Sequence, residues 1–457
     1  MNYDIIILGA GPGGYVAAIK AAQMGSRVAL VEKEDIGGVC LNWGCIPTKA
    51  LLKSARVYQE VQRSDFFGID GIDKGKLKIN WSQMNARKDM VVQRLVKGVE
   101  NLLKKNGVEV YQGIGKVLDK HRVMVNGETL IGKNLIIATG SRPAIPPIEG
   151  MDEAVKVGAV ITSKEALQLK AVPKELVILG GGVIAVEFAT LFNALGTKVT
   201  LIQRSPRILT GTEEELAEAL QRHLIDKGVE ILTNSQILSI QGKTVKLQVH
   251  GKEMLRKGDY ILISLGRKPN IEGLEGLGLA IDKNGIQVNE KLETNIPGIY
   301  AIGDVNGKYQ LAHLASAEGI TAVENIFGRE NKINYDIVPS CIYSFPEIAS
   351  VGLTEKAARE KGYDITVSKF PLSANGKALA EGESMGFIKI IAEKQYGEII
   401  GVHIMAVHAT DMIAEAIVSM QMEGTVYDVA QAIHPHPTLS EIMMEAAHGA
   451  IDKPIHH

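Results

Sequence analysis

The chain of 457 residues carries the same short plan twice, and this repeat constrains its fold more than any other feature. In each copy an apolar run leads into a glycine turn, then a helical stretch ended by a glycine, then a second apolar run. From Gly9 to Glu32, and again from Gly180 to Gln203, the spacing is 23 positions. Two copies in one register predict an α/β fold with two Rossmann-like dinucleotide-binding domains.

The glycine turns have the spacing that brings a pyrophosphate against a helix N-terminus. The motif positions are Gly9, Gly11 and Gly14 in the first copy and Gly180, Gly182 and Ala185 in the second. Glu32, which ends the first copy, can accept a hydrogen bond from a ribose hydroxyl. An ordinary glycine bend is the alternative. Because strand, turn, helix and acid coincide, we expect the first copy to bind a dinucleotide.

The second copy ends on a neutral residue, Gln203, followed by Arg204 and Arg207. A carboxylate at this position would repel a ribose 2′-phosphate, whereas an amide with arginines nearby would tolerate or attract one. The residues themselves therefore favour NADP over NAD. The alternative is that both arginines are solvated loop residues.

Cys40 and Cys45 follow the first copy closely and are five positions apart. A regular helix would point the two sulfurs apart, so we expect Gly44 to mark an irregular turn before a helix that begins near Ile46 or Pro47. Cys45 would then lie at a helix N-terminus, where the dipole stabilises a thiolate. Two small core residues, or half a metal site, are the alternatives. Because only Cys341 remains as a further thiol, we predict a redox pair and no metal.

A histidine between two prolines, His436, lies five residues before Glu441. The carboxylate can orient the imidazole and raise its basicity, as in a base–orienter pair. However, Thr438 and Glu441 also have the spacing of a helix capping box. Glu441 can therefore serve the cap, the histidine or both.

Three further charged residues carry weaker signals. Lys49 and Glu187 each lie one turn into a helix that follows a cysteine or glycine motif, and Glu187 would need a partner if it is buried in its apolar run. We expect the two to pair where two cofactors meet, although unrelated charges are the alternative. Asp304 follows an apolar stretch and can bind a ribitol or ribose hydroxyl, or simply belong to a common turn.

Bulk properties exclude several classes of protein. A net charge of −2 gives no electrostatic reason to expect nucleic acid or an anionic membrane. Three cysteines do not make a secreted disulfide scaffold and favour a reducing cytoplasm, and the first residues lack the basic segment of a signal peptide. The longest apolar region, residues 176–195, contains Glu187 and three glycines, so we expect no membrane span.

The segments between and after the two copies predict a further helix and a further domain. Met90, Val91, Leu95, Val99 and Leu102 recur at helical spacing and predict a helix that ends near Asn106. After Tyr335 the pattern changes to strands around residues 387–392 and 398–405 and a helix over 411–423. This change predicts a C-terminal antiparallel α+β domain.

The motifs together resemble the pyridine nucleotide–disulfide oxidoreductases, and the resemblance covers essentially the whole chain. The motifs are GAGPGGYVAA, GGVCLNWGCIPTKALL, ATGSRP, GGGVIAVEFA, GRKPN, IYAIGDV and HPHPTLSE. Leu41, Ile46 and residues 48–52 resemble the branch that oxidises dihydrolipoamide rather than the glutathione reductases. Soluble transhydrogenases are similar but lack one cysteine.

The resemblance implies FAD on the first fingerprint and a nicotinamide coenzyme on the second. The FAD residues would be Gly9, Gly11, Gly14, Glu32, Lys49, Thr139, Gly140 and Asp304. The NAD(P) residues would be Gly180, Gly182, Ala185, Glu187, Gln203, Arg204 and Gly266. The catalytic residues would be Cys40, Cys45, His436 and Glu441. Family members typically carry a glutamate where this chain has Gln203, so the resemblance implies NAD whereas the residue favours NADP.

The resemblance also implies a domain order and partners. The FAD-binding domain would cover residues 1–145, the NAD(P)-binding domain 146–267, a central second part of the FAD domain 268–336 and the interface domain 337–457. A homodimer would bring His436 to the other subunit's disulfide, and the substrate would be a lipoyl-bearing protein of a 2-oxo acid dehydrogenase or glycine cleavage complex. The alternatives are an NADPH-dependent reductase of small disulfides, a flavin transhydrogenase or diaphorase, and a non-catalytic subunit.

Overall fold

Three sheet-containing units make up the computed structural model, which describes residues 2–457 apart from the side chain of Glu275. The strands are β1 (Asn2–Leu8), β2 (Val28–Glu32), β3 (Glu109–Gln112), β4 (Lys116–Asp119), β5 (Arg122–Val125), β6 (Glu128–Ile137), β7 (Ser141–Pro143), β8 (Val160–Ile161), β9 (Glu175–Leu179), β10 (Lys198–Ile202), β11 (Glu230–Leu232), β12 (Ser235–Gln241), β13 (Thr244–Val249), β14 (Lys252–Lys257), β15 (Tyr260–Ile263), β16 (Arg267–Pro269), β17 (Ile299–Ala301), β18 (Ser340–Ile342), β19 (Glu347–Gly352), β20 (Ile365–Pro371), β21 (Phe387–Glu393) and β22 (Ile399–Ala406). The helices are α1 (Pro12–Gln23), α2 (Gly38–Trp43), α3 (Cys45–Gln62), α4 (Trp81–Lys105), α5 (Met151–Lys156), α6 (Ser163–Ala166), α7 (Val183–Ala194), α8 (Glu214–Asp226), α9 (Ala312–Ile326), α10 (Glu355–Glu360), α11 (Gly376–Ala380), α12 (Ala409–Gln421), α13 (Val426–Gln431) and α14 (Glu441–Ile451).

The N-terminal unit is built on a sheet in the order β3-β2-β1-β6-β5-β4. β1 and β2 are almost wholly buried apolar strands, as expected for parallel strands covered on both faces. β17 pairs in parallel with the end of β6, with Ile299 beside Leu135. A strand that follows the middle unit in sequence thus completes the N-terminal sheet.

The middle unit repeats the plan with a parallel sheet in the order β11-β10-β9-β15-β8 and a separate antiparallel sheet of β12, β13 and β14. The two chain segments that connect this unit to the first one pair with each other as β7 and β16. The predicted α/β class with two dinucleotide-binding sheets is therefore confirmed.

The C-terminal unit has an antiparallel sheet in the order β18-β19-β22-β21-β20. The predicted strands appear as β21 and β22, and the predicted helix appears as α12. A core of buried residues joins this sheet to α12, α13 and α14. The prediction of an antiparallel α+β domain is confirmed.

A buried ion network connects the C-terminal unit to the middle unit. The Lys389 side chain on β21 is 2% exposed, and its Nζ lies 2.7 Å from Glu213 Oε1 and 2.7 Å from Glu355 Oε2. Glu215 contributes a third carboxylate at 3.0 Å. Because Glu213 and Glu215 lie at the start of α8, one buried cation is held by carboxylates from both units.

The helix predicted from Met90 to Leu102 is present as α4, which ends at Lys105 with Asn106 after it. Its apolar residues do not form one buried face. Val99 and Leu103 are buried, whereas Met90, Leu95 and Leu102 are 61%, 41% and 48% exposed. Within residues 2–457, α4 and the other helices contain no stretch with the length and apolarity needed to cross a bilayer.

Candidate active site

The first glycine turn combines close backbone packing with open space. Gly9 has φ +99°, and a Cβ there would collide with the carbonyl oxygen of Ala138. A Cβ on Gly14 would collide with the carbonyl oxygen of Gly9. In contrast, a Cβ on Gly11 would meet no atom of residues 2–457 within 4 Å. Gly9 and Gly14 thus build the turn, and Gly11 leaves room above it.

That room lies at the N-terminus of α1. Gly11 is the N-cap of this helix, and no described side chain caps the first-turn N–H groups. These donors and the positive end of the helix dipole are suited to a phosphate group.

Glu32 is held against the same turn at the end of β2. It is 7% exposed, and its two carboxylate oxygens accept hydrogen bonds from Ala10 N and Glu34 N, each over 2.7 Å. These bonds fix the carboxylate beside the glycine turn. Because each oxygen has a second lone pair, acceptor capacity remains for a ribose hydroxyl.

Asp304 lies in a short turn after β17 and belongs to a polar cluster with Ser141 and Arg267. Ser141 Oγ donates to Asp304 Oδ2, and Arg267 Nε donates to Ser141 Oγ over 2.8 Å. Arg267 Nε also lies 3.7 Å from Asp304 Oδ2. Sequence reasoning did not single out Ser141 or Arg267, although ATGSRP and GRKPN contain them.

Thr139 and Gly140 lie next to this cluster, where the two connecting segments meet. Thr139 Oγ1 donates to Asn270 O over 2.6 Å, and Asn270 N donates to Gly140 O over 2.9 Å. A Cβ built on Gly140 would meet no described atom within 4 Å. The same is true of Gly266, which follows β15 of the middle unit and was predicted as an NAD(P) residue. These features fit FAD. The open space at the N-terminus of α1, called the cradle below, can take the pyrophosphate. Glu32 can accept a hydrogen bond from the ribose, and this open polar edge can take the ribitol.

Cys40 and Cys45 lie on two consecutive helices separated by a break at Gly44. Cys40 is in α2 and Cys45 is the first residue of α3, so the helix starts one residue earlier than predicted. Gly44 has φ −137° and ψ −112°, and its carbonyl accepts the Thr48 hydroxyl over 2.6 Å. The irregular turn predicted at Gly44 is therefore present, and it brings the two thiols close enough for each to shift the pKa of the other.

The negative charge of the dithiol belongs on Cys45. The hydrogen bond from Cys40, helped by the Lys49 charge and opposed by burial, lowers the pKa of Cys45 from 9.0 to about 7. The same hydrogen bond and burial raise the pKa of Cys40. Cys45 therefore ionises first, at the N-terminus of α3.

Lys49 and Glu187 form the expected ion pair between α3 and α7. Lys49 Nζ lies 2.9 Å from both carboxylate oxygens of Glu187. The Glu187 side chain is 6% exposed, so this contact supplies the partner that a buried carboxylate needs. Within α3, Lys49 lies one helical turn after Cys45.

The second glycine turn repeats the geometry of the first. A Cβ on Gly180 would collide with the carbonyl oxygen of Ser264, a Cβ on Gly182 would meet no described atom within 4 Å, and Ala185 is fully buried. The turn thus leaves a cradle at the N-terminus of α7 for a second pyrophosphate.

Of the two arginines after Gln203, only one is available to a ligand. Arg207 is 19% exposed and donates to backbone carbonyls, including Leu209 O over 2.8 Å. Gln203 Nε2 in turn donates to Arg207 O over 3.4 Å. The expectation that Arg207 could attract a 2′-phosphate is therefore wrong, because its donors are used by the loop. Arg204 is exposed.

The two histidines near the C-terminus have different surroundings. The His434 side chain is 6% exposed, and its Nε2 lies 2.7 Å from Glu415 Oε1. His436 is 80% exposed, and its Nδ1 lies 2.9 Å from Glu441 Oε1. Glu441 Oε2 accepts the Thr438 N–H over 2.8 Å, so this carboxylate serves both the backbone and the imidazole.

Thr438 is not the N-cap that the capping-box alternative required. Helix α14 starts at Glu441 with Ser440 before it, and the Thr438 hydroxyl donates to Pro435 O over 2.7 Å. Within residues 2–457 of one chain, the His436 imidazole pairs with Glu441 and contacts neither cysteine. One chain thus contains both halves of the predicted centre without joining them.

Comparison with known proteins identifies the type of chain. Residues 3–319 match the family model described as pyridine nucleotide-disulphide oxidoreductase, and residues 338–447 match the dimerisation domain of that family. A dihydrolipoyl dehydrogenase of Bacillus subtilis is 44% identical over 100% of this chain and 99% of its own length. A dihydrolipoyl dehydrogenase of Mycoplasma pneumoniae is 42% identical, with 99% of each chain covered.

Solved structures agree in overall shape. LpdA from Mycobacterium tuberculosis has a TM-score of 0.88 and 27% identity, with 97% of this chain and 99% of that one covered. The HOCl-induced flavoprotein disulfide reductase RclA from Escherichia coli has a TM-score of 0.86 and 28% identity, with 98% and 99% covered.

Proposed function

Because this chain belongs to the pyridine nucleotide-disulphide oxidoreductase family, we propose that it oxidises dihydrolipoamide to lipoamide and passes the electrons through FAD to NAD(P)⁺. The observation that carries this proposal is the placement of Cys40 and Cys45 on either side of the Gly44 break, with Cys45 at the start of α3 and Lys49 one turn further along that helix. Full-length relatives named dihydrolipoyl dehydrogenase support this substrate within the family.

The sulfur chemistry starts from a Cys40–Cys45 disulfide. A thiolate of dihydrolipoamide attacks Cys40 Sγ, a mixed disulfide forms, and the bond between the cysteines breaks with Cys45 leaving as a thiolate. The second substrate thiol loses its proton and attacks the mixed disulfide, which releases lipoamide and leaves Cys40 to take up a proton. Two electrons thus move from substrate to cysteines. Attack at Cys40 is favoured because Cys45, with its lowered pKa, is the better leaving group.

FAD supplies the two-electron acceptor that links the cysteine pair to the nicotinamide. On the protein side, the cradle above α1, with Glu32 and Asp304, would hold the pyrophosphate, ribose and ribitol. Lys49, paired with Glu187, places a positive charge near the Cys45 thiolate. The turn containing Gly180 and Gly182 would hold the coenzyme.

His436 is the proposed base for the substrate thiols. Its exposed Nε2 is free to take a proton, while Glu441 fixes Nδ1 and stabilises the charged imidazole. Because His436 does not reach the cysteines of its own chain, we propose a homodimer in which it serves the cysteines of the partner subunit. The match of residues 338–447 to a dimerisation domain supports this arrangement.

We propose a lipoyl-bearing protein of a 2-oxo acid dehydrogenase or glycine cleavage complex as the partner, in the cytoplasm. The few cysteines of the chain fit a reducing compartment.

The coenzyme is the part of the proposal on which residue and family disagree. Gln203 and the exposed Arg204 favour NADP⁺, without help from Arg207. We expect measurable turnover with NADP⁺, and a shift towards NAD⁺ in Gln203→Glu. Steady-state kinetics with both coenzymes test this. Arg204→Ala should weaken turnover with NADP⁺, and its matched control is Arg222→Ala, because Arg222 is an exposed arginine of α8. A strong NAD⁺ preference in the unchanged enzyme would remove the argument from Gln203.

The function itself is tested with Cys45→Ser and a substrate panel. We expect the purified protein to be yellow, to oxidise dihydrolipoamide, and to expose two additional thiols per subunit after reduction. Cys45→Ser should keep FAD and lose dihydrolipoamide turnover. Faster NADPH-dependent reduction of glutathione disulfide than oxidation of dihydrolipoamide would instead indicate a small-disulfide reductase, for which Gln203 and Arg204 are the favouring observation.

A further inference from the structure

The Lys49–Glu187 pair has a third member, Tyr343, that no motif singled out. Tyr343 lies in the loop between β18 and β19 of the C-terminal unit, whereas Lys49 and Glu187 lie on α3 and α7. Lys49 Nζ is 4.4 Å from the centroid of the Tyr343 ring. Tyr343 N donates to Glu187 Oε1 over 3.2 Å. One residue thus contacts the cation with its ring and the anion with its backbone.

The Tyr343 side chain also faces the C-terminal unit. It lies beside the side chain of Thr410. Thr410 is anchored in turn, since its Oγ1 and N donate to Glu347 Oε2 over 2.7 and 3.1 Å. Because Glu347 is the first residue of β19 and Thr410 lies in the first turn of α12, elements of the C-terminal unit fix the residue that lies beside the ring.

We propose that Tyr343 is a positioning residue of the redox centre, holding the Lys49–Glu187 pair and thereby fixing where the Lys49 charge lies relative to Cys45. The ring face attracts the ammonium, and the backbone N–H keeps Glu187 in place. The Lys49 side chain is 29% exposed, so without the ring it can turn towards water. This inference rests on the proposed function, because it assigns a role at the same cysteine pair.

The charges around Cys45 determine the expected direction of the effect. The charged or titratable groups that face it among the described residues are Cys40 from α2, Lys49 from α3, Glu187 from α7 and Arg267 from β16. The titratable groups that face Tyr343 are Cys341, Glu347 and Glu187. The Cys40 hydrogen bond and the Lys49 charge favour the Cys45 thiolate, whereas Glu187 disfavours it. A less fixed Lys49 therefore makes Cys45 a weaker acid.

The test is a pH titration of the Cys45 thiolate, by ultraviolet absorbance, in holoenzyme carrying Cys40→Ser. The serine hydroxyl can replace the hydrogen bond from Cys40, and Cys341 titrates separately because burial raises its pKa to about 11. In this background, Tyr343→Leu should lower the acid dissociation constant of the Cys45 thiol about two- to five-fold. This ratio corresponds to the free energy of one exposed cation–π contact. Tyr343→Phe keeps the ring and should titrate like the parent.

Two outcomes would overturn the proposal. One is a Tyr343→Leu enzyme with full FAD content whose Cys45 titrates as in the parent, and the other is a Tyr343→Phe shift as large as that of leucine. If Tyr343→Leu does not fold, Tyr343→Met supplies the same loss of the ring with a flexible side chain. Dihydrolipoamide turnover of the enzyme with both cysteines is measured separately. No turnover with a Tyr343-dependent titration would reject only the proposed function.

Discussion

At the scale of single residues, burial separates the two neighbouring histidines. His434 is used inside the chain by Glu415, whereas His436 offers an exposed imidazole oriented by Glu441. The proposed base must meet a substrate thiol at a second subunit, and the exposed histidine is the one that suits this role. The Glu441 contact keeps it in one tautomer, with Nδ1 directed at the carboxylate.

We predict that His436→Gln loses about 10²- to 10⁴-fold in dihydrolipoamide turnover, the usual contribution of a general base. FAD content should stay unchanged, because within one chain the His436 side chain is 80% exposed and pairs with Glu441 rather than with the residues proposed to hold FAD. The measurement is kcat with dihydrolipoamide, and His457→Gln, an exposed histidine of the C-terminus, is the control. Near-normal turnover in His436→Gln would remove this residue from the mechanism.

A second residue-scale prediction concerns pH. The pKa of Cys45 is lowered from 9.0 to about 7. Its thiolate is therefore present between these two pH values, where the thiol of an ordinary cysteine stays protonated. The thiolate is lost as the pH falls below about 7. Electron transfer out of the reduced cysteines should therefore fall with a midpoint near that value. The test is to measure, by rapid-reaction methods across pH, the rate of electron transfer out of the reduced cysteines. A midpoint close to that of a free thiol would contradict the assignment of the charge to Cys45.

At the scale of elements, the two kinds of glycine in the first turn allow a matched pair of substitutions. Gly14→Ala puts a Cβ into the carbonyl of Gly9 and should destabilise the apoprotein. Gly11→Ala meets no described atom within 4 Å and should leave the apoprotein intact while weakening FAD binding. Thermal denaturation of apoprotein and FAD titration separate the two effects. Equal FAD affinity in Gly11→Ala and the parent would show that the cradle is not the FAD site.

The elements were predictable where one local pattern decides the structure. The glycine turns, the break at Gly44 and the C-terminal antiparallel sheet all follow from short-range spacing. The Arg267–Ser141 contact joins residues 126 positions apart, and Tyr343 meets its partners across three units, so no local pattern indicates them. Helical spacing predicted α4 but not that Met90, Leu95 and Leu102 lie at the surface, because spacing does not reveal which neighbours cover a helix. The cofactor roles of Glu32 and Asp304 stay predictions.

At the scale of the whole molecule, the Lys389 network connects the middle and C-terminal units. Lys389→Ala would leave three carboxylates around a buried site without their cation, and breaking such a buried pair costs about 3–5 kcal/mol. Lys369→Ala removes a half-exposed lysine from the same Glu215 and should cost about 1 kcal/mol or less. Denaturant unfolding gives the free energy of both variants. Similar values for the two would mean that the buried network contributes no more than a surface ion pair.

The position of β17 in the N-terminal sheet sets an order of events during synthesis. Ile299 pairs beside Leu135, so the ribosome must add 164 residues after Leu135 before this parallel partner of the β6 end exists. At ordinary translation speeds this delay lasts roughly 10–30 s. The nascent chain therefore leaves one edge of residues 135–137 of β6 unpaired while the middle unit is synthesised, and Asp304 leaves the ribosome later still. With the proposed FAD site, which includes Asp304, flavin capture is a late event, and the cell's supply of FAD is relevant to nearly finished chains rather than to early ones.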